Sequence, residues 1–179
     1  MNKILGCIAM GLMLAGCQPK ESSNNQAADV GITAERKEES HKLTAQSLVL
    51  LGQKNYQGTL ASLDAAIKMD PTNQDPYLVL GQILLKSGEY QRASDFLDNA
   101  AKNFPDNGMV FYMLSLANKL NGKKLPAALA ARRSFELFKN ANDQDNAQKV
   151  AALLQEIINA PEAASGKTEK SVAQTATAK

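Results

Sequence analysis

QDPYLVLGQILLKSGEYQRASDFLDNAAKNFPDN, residues 74–107, is the stretch that decides the fold. Tyr90, Leu97 and Phe104 fall at helical spacing and are expected to fill the space between two helices. Gly81, Ala93 and Ala100 are small, as required where two helices cross at close range. Asp75-Pro76 reads as a helix cap followed by a first-turn proline. Gly88 can end the first helix in a left-handed conformation, and Pro105 stops the second and turns the chain onward. The unit is therefore a helix–turn–helix, and it recurs. A shift of 34 residues aligns Leu50, Leu51, Tyr56, Gln57, Leu63, Asp64, Ala66, Lys68, Pro71 and Asn73 with Leu84, Leu85, Tyr90, Gln91, Leu97, Asp98, Ala100, Lys102, Pro105 and Asn107. That makes ten identities over the 24 aligned positions, where ordinary residue frequencies give roughly one or two.

A period of 34 is the length of the tetratricopeptide repeat. The run Tyr77-Leu-Val-Leu80-Gly81-Gln-Ile-Leu84, followed by Ala93 to Leu97, Ala100 and Pro105, resembles the signature of that family, with Tyr77 where Trp is usual and Leu84 where Tyr is usual. The resemblance implies an all-α superhelix of helical hairpins, about three repeats plus a C-terminal capping helix. It covers Ser40 to Lys139.

The flanking repeats follow the pattern more loosely. The first, about Ser40 to Asn73, keeps Tyr56, Leu63, Ala66 and Pro71 but has Ser47 and Thr59 at the close-contact places. The third, about Gly108 to Ala141, keeps Phe111, Leu114, Gly122, Ala127, Ser134 and Phe138 but has Lys139 where the closing proline belongs, and Leu125-Pro126 is expected to lengthen its turn. End units of a stack face water on one side, so atypical terminal repeats are expected. A last helix, capped by Asp145 or Asn146, is expected to bury Ala147, Val150, Ala151, Leu154, Ile157 and Ile158 and so cover the end of the stack.

Upstream, Met1-Asn2-Lys3 is a short positive start, followed by the apolar run Ile4 to Leu14. This is the layout of a secretory signal peptide, and the run is too short for a permanent membrane span. Leu14-Ala15-Gly16-Cys17 resembles a bacterial lipobox. The resemblance implies cleavage after Gly16, acylation of Cys17, and anchoring to the membrane through that lipid. Gln18 stands where Asp commonly retains lipoproteins in the inner membrane, which implies the outer membrane, periplasmic face (the plasma membrane in an organism with one membrane). The expected organisation is thus a cleaved signal peptide (1–16), a lipidated Cys17 with a flexible tether (17–38), a helical repeat domain (39–160) and a disordered tail (161–179).

Composition narrows the function. With 20 basic and 18 acidic side chains there is no polybasic field for nucleic acid. Cys7 leaves with the signal peptide, Cys17 is consumed by lipid, and His41 is the one histidine, so no metal site, cofactor site or nucleophilic centre is expected. Asp143 and Asp145 are spaced like part of a calcium loop, but its glycine and closing glutamate are missing, and capping is the better reading. No phosphate loop, nucleophile elbow or H-E-x-x-H motif is present in the sequence, and no enzyme activity is expected.

Surface is what remains. Stacked repeats line a concave groove with their first helices, and such grooves bind peptides or partner helices. Helical register puts Thr44, Leu48, Leu78, Gln82, Lys86, Tyr112, Leu116 and Lys119 on that face, with Tyr112 as its aromatic anchor. Chaperone-binding members of the family carry a Lys/Asn/Arg clamp for a C-terminal carboxylate, and Leu48 and Val79 stand here where that clamp has Asn. The expected function is a membrane-anchored interaction scaffold of the cell envelope, binding an envelope or periplasmic protein, as in assembly of pili or envelope complexes. The alternative is a periplasmic carrier or accessory subunit for a small molecule or glycan, which requires a pocket with convergent polar groups.

Overall fold

The computed structural model describes residues 31–160. Cys17, the expected signal peptide, most of the expected tether and the expected tail lie outside them. The described residues form seven helices and no strand: α1 (Ala34–Gly52), α2 (Tyr56–Met69), α3 (Asp75–Lys86), α4 (Tyr90–Asn103), α5 (Gly108–Leu120), α6 (Lys124–Asn140) and α7 (Gln144–Asn159). They pair as hairpins α1–α2, α3–α4 and α5–α6, with α7 packed along α6. The expected all-α hairpin superhelix with a closing helix is the fold observed.

Two kinds of turn alternate. Each hairpin turns on one left-handed residue, Lys54 (φ 60°), Gly88 (φ 77°) or Gly122 (φ 74°), at intervals of one repeat. The bonds repeat as well: Asn55 N–H donates to Leu50 O (2.9 Å), Glu89 to Leu84 (3.0 Å) and Lys123 to Asn118 (2.8 Å), satisfying helix-end carbonyls. Between hairpins the chain instead leaves the second helix through Asp70 or Phe104, followed by Pro71 or Pro105. Asn107 then caps α5, while before α3 the equivalent Asn73 braces the turn one residue ahead of the N-cap residue Gln74. Asn107 Oδ1 accepts from Met109 N (2.9 Å) and Val110 N (3.2 Å), while Asn73 Oδ1 accepts from Asp75 N (3.1 Å). The cap expected at Asp75 therefore comes earlier, and Asp75 sits inside the first turn with Pro76.

The missing proline of the third repeat has a visible consequence. With Lys139 in its place, α6 runs to Asn140, three residues past Leu137, the equivalent of the last residue of α4. It then turns through Asn142 (φ 58°), and Asp143 N–H donates to Phe138 O (2.9 Å). This is the hairpin turn, not the proline link. The cap of α7 is Asp143 rather than Asp145 or Asn146, its carboxylate accepting from Asn146 N (3.1 Å). That backbone bond, with a second from the Asn146 side chain, holds the Asp143 carboxyl below its usual range. The buried face of α7 is Ala147, Val150, Leu153 and Ile157, so Leu153 replaces Ile158, which is 53% exposed. Both sets have helical spacing, and the crossing with α6 selects between them.

At the other end, α1 starts five residues before the expected edge of the tether. Thr33 caps it by accepting from Arg36 N (3.3 Å), and the Arg36 guanidinium donates to Lys68 O at the end of α2 (3.0 Å). These first turns bury nothing before Ser40, so they carry no apolar period to read.

The central core joins Tyr77, Leu84, Leu97, Phe104, Val110, Met113 and Leu114. Tyr77 lies 5.8 Å from Phe96 and meets Phe104 edge-on at 5.0 Å. Burial pushes the Tyr77 hydroxyl above its ordinary pKa against an opposing hydrogen bond from Asn103. A second cluster joins Ala127 and Ala131 of α6 to Val150, Leu153 and Ile157 of α7. Gly81 marks the tightest point of the central hairpin, where an added Cβ would fall 2.7 Å from Leu97 Cδ2.

The close approach expected of this central hairpin is greater in its neighbours. The backbones of α1 and α2, and of α5 and α6, run closer along their length than those of α3 and α4. Serine and threonine allow it. Ser40 Oγ donates to Ala66 O (2.9 Å), and at the same crossing two repeats on Ser134 Oγ donates to Gly108 O (2.7 Å). Ser115 Oγ donates to Ala127 O (3.0 Å). The fully buried Ser47 and Thr59 close onto Thr44 O (2.6 Å) and Asn55 O (2.8 Å) within their own helices. Each hydroxyl is small enough for close packing and is hydrogen-bonded, so its burial carries no unpaired-group penalty.

Candidate interaction surface

The first helices of the hairpins lie side by side, α1 against α3 and α3 against α5. Two polar contacts mark their shared face. His41 Nδ1 of α1 stands 3.8 Å from Asp75 Oδ2 of α3. Lys119 of α5 donates to Glu156 of α7, which extends the row by one helix. Lys124 Nζ at the start of α6 reaches Ala160 O just past α7 (2.6 Å), so α7 runs antiparallel to α6.

The residues expected on this face separate into two groups. Leu48 is 52% exposed on α1, and Gln82 and Lys86 are exposed on α3. Leu78 is half-buried between them and packs against the central cluster. On α5, Tyr112 is half-buried and touches both clusters, Leu116 packs against the α6–α7 cluster, and Lys119 is held by Glu156. Thr44 is a correction: it is buried, and its hydroxyl donates to Ser40 O (2.8 Å). The open part of the face therefore belongs to α1 and α3, while on α5 Tyr112 and Leu116 are drawn into the α6–α7 cluster and Lys119 is held by Glu156. Sequence register could place these α5 residues on the face but not reveal that they pack with the last hairpin helix and α7.

A separate feature, absent from the sequence reading, is a cleft of about 290 Å³ between α2, α3 and α4. Leu60, Ile83 and Phe96 line it, Tyr56 stands at its edge, and the paired Glu89 and Arg92 lie at its mouth. Among the described residues no group of three His, Cys, Asp or Glu side chains could hold a metal ion. No described helix is long and apolar enough to cross a membrane.

Three helical hairpins turning at 34-residue intervals, with a closing helix, define a helical-repeat solenoid, a class that presents extended surfaces for protein partners. The tetratricopeptide-repeat family profile matches residues 50–116. The N-terminal domain of stress-induced protein-1 (STI-1) from C. elegans has a similar fold, with TM-score 0.58 and 16% identity over 68% of this chain and 98% of that one. The Arabidopsis OM64 TPR domain is similar too, with TM-score 0.57 and 15% identity over 68% of this chain and 96% of that one. At such identities the likeness establishes the fold: this chain folds as a tetratricopeptide-type superhelix. No curated protein matches the sequence.

Proposed function

We propose that this chain is a lipid-anchored adaptor of the bacterial cell envelope, holding a partner protein against the open face of α1 and α3. The observation that carries the partner surface is the grouping of Leu48, Leu78, Gln82 and Lys86, an apolar floor with polar and cationic groups around it, on two adjacent helices. Extended partner segments dock on such faces through a few apolar anchors, and the polar groups set register. Leu14-Ala15-Gly16-Cys17 and Gln18 support acylation at Cys17 and residence at the periplasmic face of the outer membrane. One acyl chain holds a protein only marginally and several hold it stably, so the full lipid modification makes the anchor lasting.

Two measurements test the two halves. Cys17→Ser is expected to abolish incorporation of labelled fatty acid, and unchanged labelling would remove the anchor from the proposal. Leu48→Glu with Gln82→Ala is expected to weaken capture of the periplasmic partner at least about tenfold, the effect of ~1.4 kcal/mol, while circular dichroism stays unchanged. Capture at full strength by that folded variant would move the binding surface elsewhere. Tyr112 is a poorer probe than its sequence position implies, because it supports both core clusters.

A further inference from the structure

The second helices of the three hairpins carry equivalent outward positions one repeat apart. On α2 they are Gln57, Ala61, Asp64 and Lys68, and on α4 Gln91, Asp95, Asp98 and Lys102, all exposed. Apart from Ala61 both rows are polar, and each carries an internal ion pair. Lys68 Nζ lies 2.6 Å from Asp64, Lys102 Nζ lies 2.7 Å from Asp98, and Gln91 Nε2 donates to Asp95 (2.8 Å). On α6 the same positions are Leu125, Leu129, Arg132 and Glu136. The leucines are 69% and 59% exposed, and the acid–base order is reversed.

The cleft between α2, α3 and α4 is the matching anomaly. One repeat further on, between α4, α5 and α6, the side chains at the equivalent positions are hydrogen-bonded to one another. Ser94, the equivalent of Leu60, donates to Asn118, the equivalent of Leu84 (2.9 Å), and Asn121 donates to Gln91 (2.8 Å). In the first junction Leu60 and Leu84 stand in place of the Ser94–Asn118 pair, α2 and α3 approach less closely than α4 and α5, and Leu60 and Tyr56 remain 44% and 60% exposed. At about 290 Å³ the cleft is at the lower edge of small-molecule pockets (~300–1,000 Å³). Its charged groups, Glu89 and Arg92, neutralise each other. An uncharged apolar side chain suits it.

We propose that this cleft receives the outward face of α6 from a second copy of this chain. With the incoming helix parallel to α2 and α4, Leu125 and Leu129 enter the cleft, which lies along the N-terminal halves of those helices. Arg132 then falls beside Asp64 and Asp98, and Glu136 beside Lys68 and Lys102, so the reversed charge order becomes complementary. The donating and accepting surfaces differ, so the contact is head-to-tail and can propagate. It uses neither Leu48, Gln82 nor Lys86, so its failure would leave the proposed partner face standing.

The test is made on the full chain with two differently tagged copies in one cell, one L60C and the other L129C, treated with a short bismaleimide. A cross-linked species carrying both tags is expected, and it is expected to be absent when both copies carry L60C or both carry L129C. R132E with E136K in the donor copy should reduce the product at least about tenfold. D64K, K68E, D98K and K102E together in the acceptor should restore it. No mixed cross-link from folded variants overturns the proposal, as does an equal yield from the same-site pairs, which would mean an isologous contact. Mixed cross-linking that the charge reversal leaves untouched also overturns the helix-in-cleft geometry. If either cysteine variant fails to fold, Y56C with L125C, at still more exposed positions, decides by the same criteria.

Discussion

The central hairpin and the two that flank it solve the same packing problem with different chemistry. α3 and α4 are held apart by Tyr77, Leu84, Leu97 and Phe104, large side chains that bury much apolar area per residue. α1–α2 and α5–α6 close to shorter range over Ser40, Ser47, Thr59, Ser115 and Ser134, which have little apolar area but hydrogen-bond as they pack. Close helix approach is therefore not the property of the hairpin with the best family signature. Small hydroxyl side chains give closer contact than the glycine and alanines of the central repeat, because facing side chains such as Leu97 set the spacing there.

The largest effect that can test this contrast is Leu97→Ala. Leu97 is fully buried at the centre of the apolar hairpin, so its truncation should cost about 2–5 kcal/mol, read by chemical denaturation. A loss below ~1 kcal/mol would mean that the large side chains do not carry the central hairpin.

Overpacking compares the hairpins directly. Ser134 and Ala100 occupy the same register and are both fully buried. Ser134→Leu and Ala100→Leu should each cost about 1–3 kcal/mol. The serine variant is expected to be the worse of the two, because its helices are closer and it leaves Gly108 O without its partner. The reverse order in thermal melts would break the comparison.

The hairpin turns offer a smaller and oppositely signed pair. Lys54 holds the left-handed conformation that glycine holds at 88 and 122, at a cost to any residue with a Cβ. Lys54→Gly should stabilise by about 0.5–1 kcal/mol, and Gly88→Ala should destabilise by about 1–2 kcal/mol. Melting temperatures moving in the same direction would contradict the equivalence of the turns.

The smallest effect is a pH dependence at α7. The folded Asp143 carboxyl is held below its usual range, so its stabilisation is present above the unfolded pKa and is lost as pH falls through the folded value. Asp143→Asn keeps a capping side chain but does not titrate there, so acid titration of the melting temperature should be flatter in the variant. Identical acid limbs would assign the dependence to other carboxylates.

The 34-residue identities, Gly81, Gly88, Ala100 and the prolines determined the helix count, the pairing and the turns, because these depend on local backbone preference and on periodicity within one repeat. Thr33 and the turns of α1 before Ser40 escaped notice because they bury nothing and are tied down through Arg36 to a residue 32 positions away. The missing proline at Lys139 was legible as an irregularity, but not as the reason α7 arrives through a hairpin turn. Only tertiary structure decided that α7 buries Leu153 rather than Ile158, that Tyr112 and Leu116 pack into the α6–α7 cluster, and that a cleft opens beside Leu60. Each of these depends on the crossing and separation of helices far apart in sequence, and several sets of residues on one amphipathic helix satisfy the same period equally well.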